Sequence, residues 1–105
     1  VASLEILGKI LLLDKDGHLT NPGDWSEEIA RELAVREGIG ELTAQHWVVI
    51  RFMRRVQEQD GEPPSVRRIT QESGVDTRAL YQLFPGGPGK KAAQIAGLPR
   101  PKSCI

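Results

Sequence analysis

The chain is short of thiols. Cys104 is the only cysteine among 105 residues. That excludes an internal disulfide, and with it a secreted, disulfide-stapled scaffold. One cysteine with two histidines, His18 and His46, cannot close a zinc site without carboxylates or a second chain, so neither a metal nor a cofactor is expected. Aromatic residues make up 5% of the chain. With so few, Trp25 and Trp47 are expected to serve as core residues rather than as stacking platforms. No apolar run approaches the ~18 residues that would span a membrane; the longest aliphatic run is Ile10 to Leu13. The first thirteen residues lack the basic leader and small-residue cleavage pattern of a signal peptide, so a cytoplasmic protein is expected.

Net charge is absent too, but only in sum. Residues 1–62 carry twelve acidic and seven basic side chains, whereas residues 63–105 carry two and seven. The last 29 residues hold Arg78, Lys90, Lys91, Arg100 and Lys102 and no acidic side chain. A basic end of this kind suits an acidic partner or nucleic acid, or is simply a solvated face.

What is present reads as a single, mainly α domain. Leu4–Leu7 and Ile10–Leu13 flank Gly8-Lys9, a pair that fits a type II′ hairpin turn. Asp14-Lys15-Asp16-Gly17 reads as a further turn; it has only the opening of a calcium-loop pattern. Asp24 or Ser26 can cap a helix that ends at Gly38. Thr43 can cap a second, from about Ala44 to Gln59, whose broad apolar face predicts the most buried helix. Ser65 and Asp76 cap two short helices that meet at Gly74 and resemble a helix-turn-helix pair. Lys90–Ala96 has room for two helical turns, with Gly97 as the stop. The expected organisation is a compact helical bundle with an N-terminal hairpin over residues 1–84, and a mobile arm over residues 85–105.

The arm carries the candidate chemistry. Pro99 and Pro101 forbid a continuous helix and stiffen the segment. Cys104 lies in this polar, proline-rich surrounding, where burial in its own core is not expected. Arg100 and Lys102 stand close in sequence and favour the thiolate, the nucleophilic form of cysteine. In polyproline geometry the last eight residues span ~25 Å. That reach suits delivery of a thiol into another protein's cleft.

Two stretches carry a family resemblance. One is Leu83-Phe84-Pro85-x-Gly87-Pro88-x-Lys90-x-Ala92-x-x-Ile95-Ala96-Gly97-Leu98-Pro99-Arg100-Pro101-x-x-Cys104-Ile105. The other is Leu42-Thr43-x-x-His46-Trp47-x-Val49-Ile50-Arg51-Phe52-x-Arg54. Both closely resemble the DsrC/TusE family, and the hairpin, Gly17 and Trp25 also fit. The resemblance implies a small helical fold with a flexible C-terminal arm, and a cysteine at position 104 that carries sulfur as a persulfide. It implies a stoichiometric carrier, a sulfurtransferase in that sense rather than a self-contained catalyst. Members that work with dissimilatory sulfite reductase have a second cysteine eleven positions earlier. Here that position is Ala93, so the chain is more similar to the single-cysteine, TusE-like branch. That branch accepts sulfur from a TusBCD complex and supports 2-thiouridine formation in tRNA. A sulfite-reductase partner is the alternative within the family.

Within this reading Lys90, Lys91, Arg100 and Lys102 are candidate docking residues, and a monomer is expected. His46, in the first turn of the second long helix, is expected to be structural rather than a base. Two other classes stay open. A DNA-binding regulator would present Thr77, Arg78, Tyr81 and Gln82 to the major groove and Arg67 and Arg68 to phosphates. The low basicity of that helix makes DNA an unfavoured partner. An interaction domain whose tail docks without carrying sulfur is the other.

Overall fold

The computed structural model describes residues 2–99, with the backbone alone for Ala2 and Pro22. Two strands, β1 (Ala2–Ile6) and β2 (Lys9–Leu13), open the chain. Five helices follow: α1 (Glu27–Arg36), α2 (Ala44–Asp60), α3 (Val66–Glu72), α4 (Thr77–Leu83) and α5 (Pro88–Ile95). The mainly α class with a small antiparallel hairpin is therefore what the chain forms. Among the described residues no helix is long and apolar enough to cross a membrane.

The strands pair antiparallel with Leu4 opposite Leu11 and Ile6 opposite Lys9. Alternation turns Leu4, Ile6, Leu11 and Leu13 inward and leaves Ile10 and Leu12 exposed. The register differs from the sequence reading by one residue. The two loop residues are Leu7 and Gly8, both at positive φ (53° and 76°). This is the pattern of a type I′ turn rather than II′. The inward demand of Ile6 and Leu11 sets the register, so Leu7 is forced into the left-handed region that a leucine avoids.

Local signals define the helices. Ser26 accepts from the Ile29 N–H, Thr43 from His46, Ser65 from Arg68 and Asp76 from Ala79. Each supplies an acceptor to a helix start that lacks one. Gly61, at φ 81°, closes α2. α3 and α4 follow one another across the turn at Gly74.

The central helix is α5, not α2. It packs against α1, α2 and α4, and six of its eight residues are buried. Most of them are small, so neighbouring side chains reach the helix backbone; a Cβ at Gly89 would lie 2.9 Å from the Val66 side chain. Over residues 88–98, the stretch read from sequence as the start of the arm belongs to the core. Ala92, Ala93, Ile95, Ala96 and Leu98 are buried.

Leu7 generates a prediction. Leu7→Gly should raise unfolding stability by up to about 1 kcal/mol in urea titrations, because glycine removes the left-handed strain. A loss of that size would mean that the exposed leucine contributes packing.

Candidate functional site

Cys104, Arg100 and Lys102 lie outside the described residues. What the structure does describe is the root from which their segment leaves, at the C-terminal end of α5.

A helix end exposes carbonyls that have no partner within the helix. At α5 the backbone answers two of them. Leu98 N–H donates to Ala93 O at 2.9 Å and Gly97 N–H to Gln94 O at 3.2 Å. This pair is a Schellman motif with Gly97 in the left-handed position, φ 71°. Side chains answer the next ones. Trp25 Nε1–H donates to Ile95 O at 2.8 Å, and Arg54 Nη1–H donates to Ala96 O at 2.6 Å. His18 Nδ1 donates to Leu98 O at 3.0 Å, since a carbonyl can only accept. The Arg54 guanidinium also stacks on the Trp25 ring, 4.1 Å from its centroid. Partial burial lowers the Arg54 pKa, and the nearby Glu58 carboxylate opposes that shift.

These donors come from three places: the loop after β2, the turn before α1, and α2. Sequence periodicity marked none of them as functional. Trp25 and Trp47 do pack against the core, but the Trp25 indole N–H has a separate task. Gly97 is fixed twice, by its φ and by Trp25, whose ring lies where a Cβ would be.

The loop that presents His18 is itself braced. Asp14 Oδ1 accepts from Asp16 N–H at 2.9 Å and His18 N–H at 3.0 Å. Gln94 Nε2 donates to Asp16 O at 2.8 Å, joining this loop to α5. Burial pushes the Asp14 carboxyl up. The N–H bonds from His18 and Asp16, with the neighbouring His18 ring, outweigh it and hold the pKa below its ordinary value.

The other sequence-marked residues separate. Lys90 is exposed on α5. Lys91 is half-buried and pairs with Glu37 on Nζ–Oε1 at 3.0 Å. Ala93 is fully buried, and its carbonyl holds Leu98. His46 is buried; its Nδ1 accepts from Thr43 N–H at 2.9 Å and its Nε2 donates to Leu83 O at 2.9 Å. Its ring meets Phe84 edge-on, with centroids 5.2 Å apart. Arg68 is engaged by Asp60 and Glu72 on the same surface, and those carboxylates compete with any phosphate it would meet. Among the described residues no three of His, Cys, Asp and Glu form a metal-binding group.

Two predictions follow from this geometry. Gly97→Ala should cost about 2–4 kcal/mol in chemical denaturation, the sum of left-handed strain and a clash with Trp25. A cost below about 1 kcal/mol would show that the end of α5 adapts. For Asp14 the folded pKa is depressed, so its contribution is complete above the ordinary aspartate value near 3.9 and is lost as pH falls through the folded value. Between about pH 6 and about pH 2 wild type should therefore lose more stability than Asp14→Asn. Parallel losses would contradict the role given to the carboxylate.

Comparison with known proteins converges on one group. The family described as DsrC like protein matches residues 5–105. Sulfurtransferase TusE of Yersinia pestis is 43% identical over 109 residues, covering 97% of this chain and 99% of that protein. Sulfurtransferase TusE of Salmonella paratyphi A is 41% identical, covering 93% of this chain and 95% of its own. Among solved structures, that of dissimilatory sulfite reductase I (DsrI) superposes with a TM-score of 0.88 at 36% identity, covering 99% of this chain and 100% of the other. The oxidized gamma-subunit of the dissimilatory sulfite reductase (DsrC) from Archaeoglobus fulgidus superposes at 0.83 with 39% identity, covering 99% and 100%. A shared fold, near-complete coverage and identities around two-fifths leave one conclusion: the chain belongs to the DsrC-like family.

Proposed function

We propose that the chain is a cytoplasmic sulfur carrier whose working atom is the Cys104 sulfur. The observation that carries this reading is the full-length likeness to sulfurtransferases named TusE, with the family match running through Cys104 to residue 105. The step is thiol–persulfide exchange. The Cys104 thiolate attacks the outer sulfur of a donor persulfide, a new S–S bond forms, and the donor's S–S bond breaks. The donor leaves as a thiolate, and no external oxidant or reductant is needed. In the second half the outer sulfur passes to an acceptor and Cys104 returns to the thiolate.

A single cysteine supports the one-thiol branch of the family. The two-thiol chemistry needs a cysteine at position 93, where the chain has an alanine. The donor is then a TusBCD-like complex and the acceptor a tRNA-thiolating enzyme that makes 2-thiouridine. The structural likeness to a sulfite reductase gamma-subunit favours a second reading, in which the same thiol serves a dissimilatory sulfite reductase. In this reading Lys90, Arg100 and Lys102 dock an acidic partner; Lys91 would first have to leave Glu37.

Incubation with glutathione persulfide should add ~32 Da, one sulfur atom, on the peptide containing Cys104. Cys104→Ser should abolish the adduct. Equal loading of the serine variant would refute the carrier reading.

A further inference from the structure

Water can satisfy the end carbonyls of a helix. At the end of α5 and the turn just past it, protein donors from three separate elements take that place, and their targets are backbone atoms rather than side chains. Trp25 holds the carbonyl of Ile95, Arg54 that of Ala96 and His18 that of Leu98. A held carbonyl fixes its peptide plane. Among the described residues, the last plane held is the one joining Leu98 to Pro99. Beyond it the proline ring sets φ near −65°, and a residue before proline is confined to extended conformations. Direction is therefore carried from the globule through Pro99, which is exposed.

We propose that Trp25, Arg54 and His18 are positioning residues for sulfur transfer, fixing where and in which direction the Cys104-bearing segment leaves the fold. The proposal rests on the reading of Cys104 as the carrier. It makes the tether the six residues 99–104, which at most reach ~20 Å from Leu98. If Ile95–Leu98 came loose, four residues would join the tether. A longer tether lowers the effective concentration of the thiol at a docked acceptor. Loss of direction adds to it.

The test places spin labels on the full chain at Arg100→Cys and Gln82→Cys in a Cys104→Ser background, which leaves Pro99 in place. Gln82 is an exposed position on α4. Dipolar spectroscopy should give a narrow distance distribution. Arg54→Met should broaden it about twofold, as expected when a pre-organised segment is released. Trp25→Phe, which keeps an aromatic ring beside Gly97 but removes the N–H with part of the indole, should broaden it in a chain that still unfolds cooperatively. It also keeps the test open if Arg54→Met fails to fold. Widths equal to the parent's in the folded variants would overturn the proposal. The carrier reading is separated by sulfur loading: with Cys104 restored, Arg54→Met and Trp25→Phe should take sulfur from glutathione persulfide as wild type does. Broadening without any loading of wild type would leave the clamp standing and remove the carrier reading beneath it.

Discussion

The carbonyl end of α5 is the constraint on which the rest of the molecule is arranged. A helix end buried among other elements must have its acceptors answered, or the fold loses a desolvation cost for each. Two are closed by the Schellman turn and two more by Trp25 and Arg54, while His18 holds the Leu98 carbonyl just beyond. Each donor draws a different part of the chain onto α5. Trp25 brings the entry to α1, Arg54 brings α2, and His18 brings the loop below the hairpin. The bracing of that loop by Asp14 and Gln94 follows from the same need, because His18 can only be aimed if its loop is rigid.

This arrangement divides the labour of the proposed function. Reactivity belongs to one thiol in a short polar segment, with basic neighbours in sequence. Placement belongs to the globule, through contacts that among the described residues reach Leu98. A carrier must meet a donor and an acceptor in turn, so its chemistry has to be simple and its presentation reproducible. Exchange between a thiolate and a persulfide needs access more than it needs a built active site.

Much of the fold was legible in the sequence, and for local reasons. Ser26, Thr43, Ser65 and Asp76 announce helix starts because each offers an acceptor to orphan N–H groups, and Gly61 and Gly97 announce ends because they can turn left-handed. The centrality of α5 was not legible. Its stretch Pro-Gly-Lys-Lys-Ala-Ala-Gln-Ile has a single large aliphatic residue, and its burial comes from neighbouring elements packing over small residues. Hydrophobic periodicity weighs side-chain bulk and so pointed to α2. The hairpin turn was misplaced by one residue because Gly8 fits two turn types, and only the inward packing of Ile6 and Leu11 decides between them. Lys91 read as a free cation because its partner, Glu37, is 54 positions away. The joint role of the donors at the α5 terminus was not legible: Trp25 and Arg54 stood among residues that carry the family resemblance, but with His18 they are brought together only by the tertiary fold. Cys104 was singled out by its setting and by family resemblance.

Native-state hydrogen exchange tests the central constraint most directly, at the amides of Gly97 and Leu98 and the indole N–H of Trp25. If the clamp is part of the core, these protons should exchange only through global unfolding, with the same free energy as the slowest amides of α2. Exchange within about 1 kcal/mol of a fraying terminus would contradict the account, because the segment bearing Cys104 would then have no fixed root.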